Sequence, residues 1–467
     1  MHVLRVLLIL IGISYSTDIF TQSLPTDELI DTVYCQHDTT QSYALYLPPQ
    51  YTPQPSLPII FIFEPSARGR LPVSKFLPAA RELGYILMCS NNSRNGSWDI
   101  SFSAAEAMFT DALSQYKIDT SRMYTSGFSG GSRVATSVAV LTGKVAGIVA
   151  CGAGYPNVEE YRPKLGSDLV YFALVGNKDM NYQEHLIVKD DLDKKNIANN
   201  LLVFPAGHQW PQTHYLKEAL YWLELQAMKN ERKVSDSFEL ESAYNYSLAR
   251  IDSVIQAGDL ANGAEFLEKL AFDYQDLVDT QPVEAKIAEI KGQKTYLKQV
   301  KAKEKINALE MEHRFKWGEA FTELIFTRFM PTGDSTRKSR AWWNGEIDKL
   351  RRMTTSKDTY KSHMAYRLLN MIWARCAETS FSYAAQGDFE IALILNDIWL
   401  YVEPKSIWGH WSMAQLYAQT GNVENAISHL RIIKEQRPAI PARVFLDDKA
   451  ISQIVGTPQF QAFLKSF

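Results

Sequence analysis

Cysteine is scarce in this chain: four in 467 residues, at Cys35, Cys89, Cys151 and Cys376, far apart and without framework spacing. That argues against a fold stapled by disulfides. Cys89 closes the apolar run Tyr85-Ile86-Leu87-Met88 and Cys151 closes residues 146–150, so both read as small buried strand residues. Charge of one sign is missing as well, since 49 Lys and Arg stand against 52 Asp and Glu for a formal net charge of -3. Without a single-sign field to attract phosphates, the sequence argues against a nucleic-acid partner. Long apolar runs are absent too. The run at residues 3–13 is roughly half of the ~20 residues that a spanning helix needs, and no later segment could span a bilayer. With Arg5 inside that run and Ser14-Tyr15-Ser16 behind it, residues 1–16 match a short secretory signal. The expected location is secreted or periplasmic.

The length implies two or three domains rather than one core. From about residue 42 to 228, short apolar runs alternate with helix-length amphipathic stretches, the signature of βαβ units and a mainly parallel sheet. The pattern predicts strands at 43–47, 57–63, 85–89, 123–125, 146–151, 169–175 and 201–204, and helices at 73–83, 103–116, 130–141 and 184–197. In the last helix of this half, Leu216, Ala219, Leu220 and Leu223 share one face. Past residues 229–233 strand-like runs vanish and long helical stretches take over, which places a catalytic domain at 24–229, a linker near 230–236 and an all-helical domain at 237–467. Within the helical half, Tyr383, Gly387, Ala392 and Pro404 recur 34 residues later as Tyr417, Gly421, Ala426 and Pro438. That period is similar to the tetratricopeptide repeat, a stacking helix-turn-helix unit, and it is clearest at 373–440. The family's tryptophan is replaced by Cys376 and His410. Gly258-Asp259 with Leu267 and Leu270 suggests a degenerate earlier unit, and 283–311 reads as one long lysine-rich helix. Such repeats would dock a protein partner or cover an active cleft.

The most informative stretch is Gly127-Phe128-Ser129-Gly130-Gly131, which fits the nucleophile elbow G-x-S-x-G between a short strand and an Ala/Val/Ser-rich helix. A serine hydroxyl is a poor nucleophile on its own. It needs a base in hydrogen-bond reach and a third group to orient that base. Asp179, in the loop Gly176-Asn177-Lys178-Asp179, and His208, in Pro205-Ala206-Gly207-His208-Gln209-Trp210-Pro211, each follow a predicted strand and open on the same sheet edge as the elbow. His185 and His214 are rival bases on helices. Glu184, Asp190 and Asp191 are rival acids, and Asp168 precedes its strand and belongs to the wrong edge.

On these motifs, with Ser42-Tyr43-Ala44-Leu45-Tyr46-Leu47-Pro48 at the first predicted strand, residues 32–228 resemble a secreted α/β-hydrolase esterase of the polyhydroxybutyrate depolymerase and feruloyl esterase type. The expected fold is an α/β hydrolase followed by an all-α, tetratricopeptide-like domain. The resemblance implies ester hydrolysis through an acyl-enzyme, with Ser129 attacking, His208 moving the proton and Asp179 orienting it, and it implies no metal or organic cofactor. The oxyanion needs two amide donors. Gly130, after the nucleophile, supplies one. Pro65 has no N–H, so Ser66 or Ala67 is expected as the other, a departure from the family's His-Gly pattern. Glu64 is expected to pair with Arg68 or Arg70. Trp98 and Trp210, expected in loops at the active edge, could hold an aryl group or a sugar ring. Asn91, Asn92 and Asn95 could bind polar substrate groups, and Asn91, Asn95 and Asn245 also satisfy N-x-S. A serine peptidase of the same fold and a non-catalytic scaffold remain open alternatives.

Overall fold

The computed structural model describes residues 24–52, 54–328, 330 and 339–467. The expected signal at 1–16 lies outside them. The first compact unit ends at Lys301 and the second runs from Ala302 to Phe467.

The first unit is built on eight strands, β1 (Leu29–Tyr34), β2 (Ser42–Tyr46), β3 (Leu57–Phe63), β4 (Ile86–Ser90), β5 (Ile118–Phe128), β6 (Gly147–Cys151), β7 (Val170–Gly176) and β8 (Asn199–Phe204). They form one sheet in the order β1-β2-β4-β3-β5-β6-β7-β8, antiparallel over β1-β2-β4 and parallel from β4 onward. This is the α/β-hydrolase fold. Helices α1 (Arg70–Leu83), α2 (Trp98–Gln115), α3 (Gly130–Thr142), α4 (Tyr182–Lys194) and α5 (Thr213–Lys229) connect and cover the strands.

A parallel sheet covered on both faces reads as an unbroken apolar run, and Leu57-Pro58-Ile59-Ile60-Phe61-Ile62-Phe63 is buried at every position. Its side chains alternate between two cores. Ile60 and Ile62 pack with Phe76 of α1 and Leu220 of α5, while Ile59, Phe61 and Phe63 pack with Phe109 of α2 and Ala135 of α3. Each such side chain contributes about 1.5–3 kcal/mol of burial. All four cysteines are free and buried.

The structure extends the expected elements where local chemistry was ambiguous. β1 was not expected: it is a partly exposed edge strand with a register shift between Ile30 and Val33, so its apolar signal is weak. α2 starts at Trp98 with the Ser97 hydroxyl capping Asp99 N–H at 3.3 Å, which puts Trp98 in a first helical turn rather than a loop.

Three further helices, α6 (Ser237–Gln256), α7 (Leu260–Tyr274) and α8 (Gln281–Lys291), belong to the first unit, so residues 230–236 do not divide the compact units. The reason lies in α5. Almost all of it from Leu216 onward is buried, more than one sheet-facing stripe can account for. Leu240, Ile251, Leu267 and Val283 share its core; Arg250 grips Glu218 at 2.6 and 2.9 Å, and Trp222 Nε1–H donates to Asp273 at 2.9 Å. Gly258, at φ +88°, turns α6 into α7. The single helix expected over 283–311 is broken, since α8 ends at Lys291 with Gly292 as its cap and α9 (Lys294–Thr327) begins anew and continues into the second unit.

The second unit is helical: after α9 come α10 (Arg340–Thr354), α11 (Thr359–Ala385), α12 (Phe389–Val402), α13 (Ile407–Gln419) and α14 (Val423–Gln436). The 34-residue register has a physical counterpart. Gly387 and Gly421 sit between paired helices at φ +79° and +74°, where a side chain would be strained, and Ala392 and Ala426 are fully buried. No helix among the described residues is long and apolar enough to cross a membrane.

His410 of α13 donates through Nε2 to the Pro404 carbonyl at 3.0 Å. Its Nδ1 lies 2.8 Å from His429 Nδ1, and one proton is shared between the two nitrogens. Burial, then the neighbouring His410, pushes His429 down to about 4. A base whose folded value is depressed stabilises the fold above its unfolded value near 6.5 and loses that contribution as pH falls through the interval to about 4. We expect the melting temperature to drop across this window, and the drop to be smaller in His429→Phe; scanning calorimetry against pH checks it, and identical slopes would refute it.

Candidate functional site

β5 is paired with β3 through Phe63 opposite Gly127 and with β6 through Cys151 opposite Phe128, so its end lies in the middle of the sheet. There the chain turns abruptly into α3. Ser129 adopts φ +52°, ψ -122°, a conformation that a non-glycine residue holds only when its surroundings enforce it. A Cβ on Gly127 would strike the Gly131 backbone, and one on Gly131 would strike the Phe63 carbonyl. The motif glycines are thus required by backbone contact. Ser129 N–H donates to the Cys151 carbonyl at 2.8 Å and ties the turn to β6.

The loops after β7 and β8 are joined to each other. Asn177 N–H donates to the Phe204 carbonyl at 2.8 Å and Lys178 N–H to the Ala206 carbonyl at 2.9 Å, while a Cβ on Gly176 would strike the Ala206 and Gly207 carbonyls. This joint sets Asp179 beside His208. The Asp179 carboxylate is fully buried and its oxygens lie 2.9 and 3.0 Å from His208 Nδ1, with Oδ1 also accepting Asn181 N–H at 2.8 Å. A carboxylate only accepts, so the imidazole proton is on Nδ1 and the Nε2 lone pair faces Ser129 Oγ at 2.9 Å. The Phe128 ring lies 4.7 Å from the imidazole and the Trp210 ring 5.4 Å from Phe128. The arrangement can take a proton from the hydroxyl as it attacks an electrophile.

The rivals are elsewhere. His185 is fully buried in α4, and burial pushes it down to about 4, so it is neutral with neither ring nitrogen hydrogen-bonded among the described residues. His214 lies against Tyr215 on α5. Glu184 accepts from Arg133 at 2.5 and 3.0 Å and from Gly154 N–H at 3.0 Å. Burial raises that carboxyl, but these partners outweigh burial and hold it below its ordinary value. Asp190 and Asp191 pair with Lys194 and Lys195, and Asp168 precedes β7.

Gly130 heads α3 as the sequence implied. Ser66 and Ala67 differ from expectation: Ser66 N–H donates to Glu64 Oε2 at 2.7 Å, and Ala67 N–H donates to the Glu64 carbonyl at 3.2 Å. Both amides are already engaged. Glu64, fully buried, also accepts Arg68 N–H at 3.2 Å and pairs with the Arg68 guanidinium, whereas Arg70 pairs with Asp31. The sequence signal for this clamp was an acid directly after an apolar strand, followed by a basic residue four positions on. Trp98 is half-buried and stacks on Phe102 with centroids 5.4 Å apart, with Tyr161 at 5.4 Å from it. Trp210 is only 6% exposed and offers no open ring; it backs Phe128 beneath the imidazole instead. Asn91 donates to the Asp31 carbonyl at 3.0 Å, and Asn92 bridges Ser42 and Thr40. An open cleft of about 670 Å³ borders Ala67, Arg68, Asn91 and Tyr34 but is not lined by Ser129, Asp179 or His208.

No family model matches this chain, and no curated protein matches it. Solved structures similar to it include the apoenzyme of S-formylglutathione hydrolase from Staphylococcus aureus, at 16% identity over 42% of this chain and 96% of that one, TM-score 0.35. An esterase from Pyrobaculum calidifontis is 12% identical over 45% and 87%, TM-score 0.35, and a ferulic acid esterase is 14% identical over 42% and 95%, TM-score 0.32.

The elbow's backbone contacts make a stability prediction. Gly127→Ala and Gly131→Ala each lose at least about 1–3 kcal/mol in urea unfolding, the cost of forcing atoms into a filled space. Gly318→Ala, where a Cβ meets nothing within 4 Å in α9, gains or stays level.

Proposed function

We propose that this protein is a serine hydrolase that cleaves carboxylic esters through an acyl-enzyme on Ser129, His208 and Asp179. The observation that carries the reading is the continuous relay from Asp179 through Nδ1 and Nε2 to Oγ, each gap 2.9–3.0 Å. Ser129 Oγ attacks the ester carbonyl as His208 takes its proton; the alcohol leaves with that proton, and a water repeats the sequence to release the acid. Asp179 keeps the imidazole in the attacking tautomer and stabilises the imidazolium. A fully buried acid already bonded to Nδ1 favours this reading over a scaffold role, in which nothing would need the tautomer fixed. Export to the periplasm or cell exterior, and docking of a protein partner by the tetratricopeptide-like helices, complete the proposal; they are supported by residues 3–16 and by the 34-residue register.

Two variants test it. Ser129→Ala should keep its melting temperature within a degree or two while aryl-acetate turnover falls about 10⁶-fold and fluorophosphonate labelling is lost. Retained turnover or labelling defeats the assignment. Asp179→Asn should reduce turnover by about 10⁴-fold with the fold intact, because the amide would favour the wrong tautomer. Faster cleavage of a matched peptide amide than of the ester would favour a peptidase.

A further inference from the structure

A tetrahedral intermediate on Ser129 needs a second donor beside Gly130 N–H, and both amides expected to supply it are turned onto Glu64. The neighbouring strand's loop offers another. Asn95 N–H donates to the Pro65 carbonyl at 2.9 Å, and Arg94 bridges Ser66, so residues 94–95 run beside the Glu64 loop. The Asn95 carboxamide lies over Gly130: its Oδ1 fills the place of a Gly130 Cβ, with Cγ 2.9 Å and Nδ2 3.4 Å from that point. A Cβ lies about 2.5 Å from the nitrogen of its own residue. With its two ends exchanged, Nδ2 takes the place of Oδ1, 1.9 Å from that point, and is then within about 4.4 Å of the Gly130 nitrogen, a span over which two donors can share one oxygen at about 2.9 Å each. The carboxamide makes no side-chain hydrogen bond among the described residues, and its two ends exchange by a half-turn of the terminal torsion.

We propose that Asn95 Nδ2–H is the second oxyanion donor, and that residue 130 is glycine so that this side chain can lie over it. The inference rests on the ester-hydrolase reading above. As Oγ bonds to the carbonyl carbon and its proton passes to His208, the carbonyl π pair moves onto oxygen and is held by Gly130 N–H and Asn95 Nδ2–H. When that pair re-forms the carbonyl, the alcohol departs with the proton from His208. Asn95 acts on the developing charge and not on the resting ester, so its contribution falls on kcat.

The test uses the full chain made in bacteria, where the Asn95-Gly96-Ser97 sequon carries no glycan. Asn95→Ala and Asn95→Leu should lower kcat about 10²–10³-fold, with KM within about threefold and an unchanged melting temperature. Affinity for an aryl trifluoromethyl ketone, which forms an oxyanion on the serine, should fall in step. Gly130→Ala, which pushes the carboxamide aside, should cost a similar factor, and adding Asn95→Ala to it should cost little more. A kcat for Asn95→Ala within threefold of wild type, with Ser129→Ala inactive, overturns the Asn95 assignment while leaving the hydrolase reading standing. Turnover retained by Ser129→Ala overturns both.

Discussion

The contact on which the site depends is the approach of the α3 N-terminus to the end of β3, where Gly131 lies against the Phe63 carbonyl with no room for a methyl group. That closeness forces the abrupt turn, and the turn lifts Ser129 out of both strand and helix at φ +52°. The same approach brings the loop after β3 next to the head of α3. Polar groups at a strand end so near a helix start must be satisfied locally, and Glu64 does this by taking two loop amides and a guanidinium onto one buried carboxylate.

A second constraint shapes the rest of the first unit. Sheet faces on this scale need cover along their whole width. On one face α1 and α5 supply it, yet α5 is itself apolar beyond its sheet-facing stripe. The chain resolves this by wrapping α6, α7 and α8 onto it, so the first unit is larger than its strands and crossover helices alone.

Much of this was legible in the sequence for a definite reason: strands buried on both faces, the sharp turn and the loop positions of Asp179 and His208 leave local signatures that do not depend on distant partners. The parts that were not legible depend on long-range packing. Trp210 falls in a polar loop by sequence, yet its ring is buried against Phe128. Ser66 and Ala67 look like free amides in one dimension, because the capture of Ser66 N–H depends on the rotamer of a neighbouring carboxylate. The reach of the first unit to Lys301 was hidden because a helix docked on a sheet unit and a helix in an array have similar periodicity. β1 was missed because half-exposed edge strands carry little apolar alternation.

The four cysteines carry a chemical consequence. Each thiol is buried, and burial pushes Cys35 up to about 12 and raises Cys89, Cys151 and Cys376 as well, away from the ionised form that reacts. An electrophile that ordinarily captures thiols and activated hydroxyls alike meets no exposed thiol on the folded molecule, so under the proposed hydrolase reading warheads of mixed selectivity would report on Ser129.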